Sequence, residues 1–304
     1  MKAVAVVLPA LLAACGAAPR WQVELQPALS DARAAGRDLV VYFALPGRDA
    51  SDRMQARLDD PLVLAALARG RFDAVVADGV ERGRLYKEWI GGGEGMGIAV
   101  LDGAGRCYAA RPGPQDPEEL AALLDQCRES RAERAALRAA AARPDAGPGD
   151  VHRLGALFLQ LGCRVQCEPL LLDAAIQGVA EARHQLARLY ALDGDVSAAR
   201  RWLRTAPPTA QARVTEGYVL FQERRHAESV TAFAADIPIL IHSIDDDRQR
   251  ALLYLGKALH ENQRDDLAVP VLERLAAEGT GSTFEAAARH TLGHIYAPAS
   301  DHSH

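Results

Sequence analysis

Seven residues, Pro144-Asp145-Ala146-Gly147-Pro148-Gly149-Asp150, divide this chain more sharply than any others, because the strand signals lie before them and nearly vanish after them. A Pro/Gly cluster interrupts both helix and sheet. The expectation is therefore a linker over 143–150, joining an α/β half to an all-α half. With 304 residues the chain has room for two such units.

In the first half, Leu39–Leu45 is a continuous apolar run rich in β-branched and aromatic residues, the pattern of a fully buried strand. Around it the spacing predicts helices over Gln26–Ala35 (stopped by Gly36), Arg48–Leu58, Leu62–Arg69 (stopped by Gly70) and Arg82–Ile90. Further strands are expected over Phe72–Ala77, Ile98–Leu101 and Arg106–Ala110. The last two pair through the turn Asp102-Gly103-Ala104-Gly105. A final long helix is expected from Pro117 to about Ala142. Gly91-Gly92-Gly93-Glu94-Gly95 precedes a strand and lacks the Lys-Ser/Thr of a phosphate loop, so it reads as a flexible connection.

This order of elements, with the local wording GRDLVVYF, Asp60-Pro61-Leu62-Val63 and IAVLDGAGR, resembles the periplasmic thioredoxin-like domains of disulfide reductases over 21–130, the last helix extending to about 142. The resemblance implies a Cys-x-x-Cys pair at the N-terminus of the helix after the buried strand, where the helix dipole lowers a thiol pKa. It also implies a cis-proline opposite that pair. Here Gly47, Arg48, Asp49 and Ala50 stand in the first motif, and Met96 stands in place of the proline. Disulfide exchange needs an attacking thiolate and a second, resolving thiol. Both departures point to a thioredoxin-like fold kept for recognition, with no catalytic residues.

The second half carries an internal repeat. Small residues recur inside apolar helical stretches at Gly155, Ala187, Gly217, Gly256 and Gly293, spaced 32, 30, 39 and 37 residues apart. Twelve residues after the first four come Cys167, Ala199, Ser229 and Ala268, and four further on Leu171, Leu203, Phe233 and Leu272. This is similar to the tetratricopeptide repeat, a helix pair of about 34 residues. Tyr190 and Tyr296 fit its aromatic position. The wandering spacing and the apolar insertion Ile237-Pro238-Ile239-Leu240-Ile241 depart from it. The fold class expected is thus an α/β thioredoxin-like domain followed by an all-α TPR-like solenoid over 151–297, with a tail at 298–304.

All nine histidines lie in this second half. His152, His184 and His290 occupy the same repeat position, and with Arg188, Tyr218, Lys257, His260 and His294 they project onto the face that would line a binding groove. Such a groove would take a protein or peptide and gain charge near the histidine pKa. Histidines scattered over helix surfaces would give the same list. His290 and His294, four apart, also form a candidate metal pair, although no Glu general base adjoins the first, so a zinc protease is excluded. No metal or other cofactor is expected.

The N-terminus opens with one Lys and an apolar run of about a dozen residues, a signal-peptide pattern over 1–14, and Leu12-Ala13-Ala14-Cys15 resembles a bacterial lipobox. That resemblance implies lipidation of Cys15. Gly16 in the next position implies an outer-membrane anchor facing the periplasm. Four cysteines remain, an even number in an oxidising compartment. Cys163/Cys167 flank a turn and Cys107/Cys127 fall on a strand and the next helix, so two disulfides or four small buried side chains both fit. The formal net charge of -5, with no basic stripe, excludes nucleic acid as the expected partner. The function expected is a lipid-anchored protein-binding scaffold or assembly factor. A thiol oxidoreductase using Cys107 or Cys163/Cys167, and a metal-binding histidine half, are the alternatives.

Overall fold

The computed structural model describes residues 20–92, 95–234, 246–278 and 283–296. Cys15 with the 1–14 segment, Gly93, Glu94, the insertion at Ile237–Ile241 and the 298–304 tail lie outside the described residues. The chain builds a small mixed sheet of five strands and then a long series of helices.

The sheet centres on β2 (Leu39–Ala44), all six residues of which are buried, as a β-branched run packed on both faces must be. It lies parallel to β3 (Asp73–Asp78), Val41 facing Val75, and antiparallel to β4 (Gly97–Leu101), Val41 facing Ala99. β5 (Cys107–Pro112) returns antiparallel to β4, and the two-residue β1 (Trp21–Gln22) runs parallel to β3 at the other edge. The strand order is β1-β3-β2-β4-β5. β1 is too short to leave a periodic signal. The β4–β5 turn forms where expected: Asp102 Oδ1 accepts from the Ala104 and Arg106 amides, each at 3.0 Å.

The helices of this half are α1 (Leu25–Ala35), α2 (Asp49–Arg57), α3 (Pro61–Gly70), α4 (Gly83–Trp89), α5 (Pro117–Glu129) and α6 (Arg131–Ala141). Gly36 caps α1 in the left-handed conformation, as expected, at φ 61°. The stop of α3 falls one residue later than expected. Gly70 is the last helical residue, where a Cβ would run into the Phe72 ring, and Arg71 takes the left-handed turn at φ 52°. The single long helix expected from Pro117 to Ala142 is also corrected: it breaks at Ser130, which closes α5 and starts α6. The break lets α6 lay its arginines across one end of the sheet, beside the start of β2 and the end of β4, as described below.

The Pro/Gly stretch is shorter than its seven residues suggest. Gly147 is an N-cap and Pro148 opens α7 (Pro148–Gln160), the first-turn position where a missing amide costs nothing. α8 (Arg164–Ile176), α9 (Ala180–Leu192), α10 (Val196–Leu203), α11 (Ala210–Gln222), α12 (His226–Ala234), α13 (Asp246–Glu261), α14 (Asp265–Glu278) and α15 (Thr283–Tyr296) follow. One hydrophobic core runs without a gap from β2 through α7 to Leu189 of α9, and two smaller ones lie beyond it. The sheet and the first helices therefore share a core across the Pro/Gly stretch. Among the described residues no helix is long and apolar enough to cross a membrane.

The small positions of the helical half are close contacts. A Cβ added at Gly155, Gly217 or Gly256 would lie 3.1, 2.8 or 2.5 Å from Leu171, Phe233 or Leu272 respectively. Each of these three glycines is therefore met by the bulky residue sixteen positions on, and Gly217 also by the small Ser229 twelve positions on, whose hydroxyl donates to its carbonyl at 2.9 Å. The tyrosines also recur: Tyr190 donates to Glu168 Oε1 at 2.6 Å and Tyr296 to Glu273 Oε1 at 2.9 Å.

Candidate functional site

Gly47, Arg48, Asp49 and Ala50 form the turn from β2 into α2, with Arg48 as N-cap and Gly47 at φ 76°. Asp49 and Asp52 occupy the first turn of α2, so carboxylates stand at the positive end of the helix dipole. A residue that sequence reasoning passed over holds the turn. The buried Ser51 hydroxyl accepts from the Leu45 amide at 2.8 Å and shares a hydrogen bond with the Tyr42 hydroxyl at 3.0 Å. Burial pushes the Tyr42 phenol above its usual pKa. Neither hydroxyl has a base beside it among these contacts.

Met96 is buried just before β4, at the same end of the sheet: Gly95 lies against Leu45, and Phe43 pairs with Gly97. Its carbonyl already accepts from the Gly113 amide at 2.8 Å and the Tyr86 hydroxyl at 3.2 Å. Tyr86 also binds the Gly92 carbonyl at 2.9 Å, so the described part of the glycine-rich connection is pinned. Beside the turn lies an open cleft of about 370 Å³ between Trp21, Val23, Pro46, Leu58 and Val76. Two of its polar groups are engaged, Trp21 Nε1 donating to Leu58 O at 3.1 Å and Asp78 Oδ1 capping the Val80 amide at 2.8 Å, and Gln55 and Asp59 complete its polar lining. The cleft is open and largely apolar, with the carboxylates of Asp59 and Asp78 at its lining.

The histidines separate into inter-helix ties and an exposed pair. His152 Nε2 bonds Gln185 Oε1 at 3.0 Å, and His184 Nε2 bonds Thr215 Oγ1 at 3.1 Å, so each links its helix to the next but one. His260 Nδ1 bonds Asp265 Oδ1 at 2.7 Å, joining the end of α13 to the start of α14. His290 and His294 are exposed with their Nε2 atoms 3.1 Å apart. Among the described residues no group of three or more His, Cys, Asp or Glu side chains converges on one point as a metal site would require. Arg188 and Lys257 are half-buried. Tyr218 is corrected from groove to core: it is 2% exposed and packs edge-on against Phe233 and Tyr254.

Burial holds the His184 imidazole below its usual pKa, and the charge of Arg188 adds to the effect. The folded state therefore resists the proton that the unfolded state accepts. The stability this confers is complete above about pH 6.5 and is lost as pH falls through the lower folded value. The expected outcome is a urea midpoint that drops between about pH 7 and 5 and drops less in His184→Gln. Equal slopes in both proteins would show that His184 is hydrated.

Sequence reasoning missed the joint between the halves. Arg131, Arg134 and Arg138 project from α6 at helical spacing. Asp38, buried ahead of β2, accepts from Arg131 and Arg134 at 3.2 Å and from the Tyr108 hydroxyl at 2.8 Å. Arg138 pairs with Asp102 and lies 5.3 Å above the Phe158 ring of α7. Burial pushes the Asp102 carboxyl up, but hydrogen bonds from Arg106 and the charge of Arg138 outweigh it and leave the pKa below the usual value. Beside this joint the Leu161 carbonyl, in the α7–α8 turn, accepts from the Ala110 amide at 3.2 Å and from Arg111 at 2.7 Å.

All four described cysteines are buried free thiols, and the pairings expected from chain order are not the one the fold brings closest. Cys163, the N-cap of α8, stands with its Sγ 3.7 Å from Cys107 Sγ on β5. Cys167 Sγ donates to the Arg164 carbonyl at 3.4 Å instead. Cys127 lies in the core near Tyr108, and burial pushes its thiol up to about 12. No family model matches the chain, and no characterised protein is significantly similar to it in sequence.

Proposed function

We propose that this chain is a lipid-anchored extracytoplasmic scaffold or assembly factor, in which a redox-inactive thioredoxin-like domain is joined to TPR-like repeats that bind a protein or peptide. The observation that carries this reading is the helix N-terminus after β2. It presents Gly47, Arg48, Asp49 and Ala50, while Cys107 pairs with Leu101 and so lies level with Leu39, at the far end of that strand. No thiolate can attack from that turn, and the Met96 carbonyl, already bonded twice, is a poor edge for an extended peptide.

The strand order β1-β3-β2-β4-β5, with β4 antiparallel, supports the thioredoxin-like reading. Contacts that recur at near-repeat spacing support the helical one: small residue on bulky residue, tyrosine on glutamate, histidine on the next repeat. Stacked helix pairs form one extended binding surface, and this half exposes Ile176 and Tyr296. The anchor at Cys15, and with it an outer-membrane location facing the periplasm, rests on the lipobox resemblance alone.

The test has two arms, both on the full chain. Insulin reduction with dithiothreitol is expected to run at the uncatalysed rate. Turnover abolished by Cys163→Ser would replace the scaffold reading with an oxidoreductase. A photo-crosslinking residue at Ile176 is expected to trap a partner in membranes, and one at Val23 is not. The reverse pattern would move the binding surface to the first half.

A further inference from the structure

Cys107 and Cys163 are 56 residues apart in the chain and meet because the α7–α8 turn docks on the edge strand of the sheet. Both side chains are nearly inaccessible, at 2% and 0% exposure. Their sulfurs need to approach by only about 1.7 Å to reach a disulfide bond length of about 2.05 Å. We propose that Cys107 and Cys163 are the two halves of a disulfide that fastens the helical half to strand β5.

The two thiols differ in the way the reaction requires. The hydrogen bond with Cys107 and the nearby charge of Arg138 lower the Cys163 thiol pKa, although burial opposes them, while that same bond and burial raise Cys107. Cys163 sits in the α7–α8 turn itself and so meets an oxidant first when that turn opens. The oxidant is a dialkyl disulfide, of the class of oxidised glutathione. Cys163 Sγ displaces one thiolate from it and forms a mixed disulfide. Cys107 then gives up its proton, attacks Cys163 Sγ and displaces the second thiolate. Two protein thiols lose two electrons and two protons, and one oxidant disulfide becomes two thiols. Neither sulfur is exposed, so the bond forms during folding or a brief opening of the α7–α8 turn.

The competing pairings are weaker. Cys167 is held on the Arg164 carbonyl and burial pushes its thiol up to about 12. Cys127 is buried on α5 and likewise reluctant to ionise. A bond within Cys163/Cys167 would join two residues of one helix end, and Cys107/Cys127 would stay inside the sheet half. Neither crosses the joint.

The test refolds the full chain from urea in a glutathione redox buffer, traps free thiols with an alkylating agent under denaturing conditions and maps the peptides by mass spectrometry. The expected result is a Cys107 peptide joined to a Cys163 peptide, lighter by two hydrogens than their sum, with Cys127 and Cys167 alkylated. Cys107 and Cys163 both alkylated, or Cys163 joined to Cys167, would overturn the proposal. The wild-type map needs no variant, so a misfolded mutant cannot obscure it. The oxidised protein is also expected to melt above the reduced one, a shift that Cys163→Ala removes. Equal midpoints in the two redox states would overturn the fastening role.

Discussion

Replacing Asp38 with alanine is expected to destabilise the protein by about 3–5 kcal/mol, the range for breaking one side of a buried ion pair. Arg134 is 4% exposed and its guanidinium lies 3.3 Å above the Tyr108 ring, so it cannot swing into water when its partner goes. One of its terminal nitrogens, Nη1, already lacks an acceptor. Removing Asp38 would leave the Arg134 charge without its carboxylate, over the aromatic face, and take from the Tyr108 hydroxyl its acceptor at 2.8 Å. Arg131 contributes less, because its side chain is 42% exposed and water screens the pair. A urea melt with unchanged slope and a lowered midpoint is the expected readout. Asp38→Ala combined with Arg134→Leu is expected to recover much of the loss, since the cost lies in the stranded charge and not in the missing attraction. A single-mutant loss below about 1 kcal/mol, the scale of exposed pairs, would mean that water already reaches Arg134.

This joint also shows where the sequence stops being readable. Arg131, Arg134 and Arg138, set among alanines, look like the solvated face of a helix. Only the fold brings them onto Asp38, 93 and 96 residues away, and onto Asp102, 36 residues away. Strand β2 was legible because an unbroken β-branched and aromatic run has few places to go but a buried strand. The hairpin was legible from its Asp-Gly turn. The break at Ser130 was not, because the residues around it are helix formers and the break is imposed by what α6 must reach. Of the two cysteine readings, four buried side chains is the one found; which two sulfurs lie closest was not legible, because nearness in the chain is a weak guide when closing a longer loop costs so little more. The histidine spacing was visible, but not whether each ring faces a groove or the helix beyond. His152 and His184 are spent on Gln185 and Thr215, contacts a linear pattern does not distinguish from open positions.

Alanine at Gly217 is expected to cost about 1–3 kcal/mol, the usual penalty for overpacking a core, although the same change on an exposed helix would gain about 1 kcal/mol from helix propensity. The sign is the informative part. The added Cβ would fall 2.8 Å from the Phe233 ring, which is fully buried and edge-on to Tyr218, itself edge-on to Tyr254. With its neighbours packed this way the ring has no free direction to move. The carbonyl of Gly217 also holds the buried Ser229 hydroxyl at 2.9 Å, so the two helices cannot slide apart without stranding it. Gly217→Ala/Phe233→Leu is therefore expected to recover most of the loss, and the non-additivity in a double-mutant cycle measures the contact directly. Gly293 occupies the corresponding place in the last described helix, where, among the described residues, nothing lies within 4 Å of an added Cβ. There the propensity gain should appear unopposed, and Gly293→Ala should stabilise. If Gly217→Ala also stabilised, the helix pairs would be looser than the small residues at their contacts require, and the repeat would be a feature of the sequence without a packing cause.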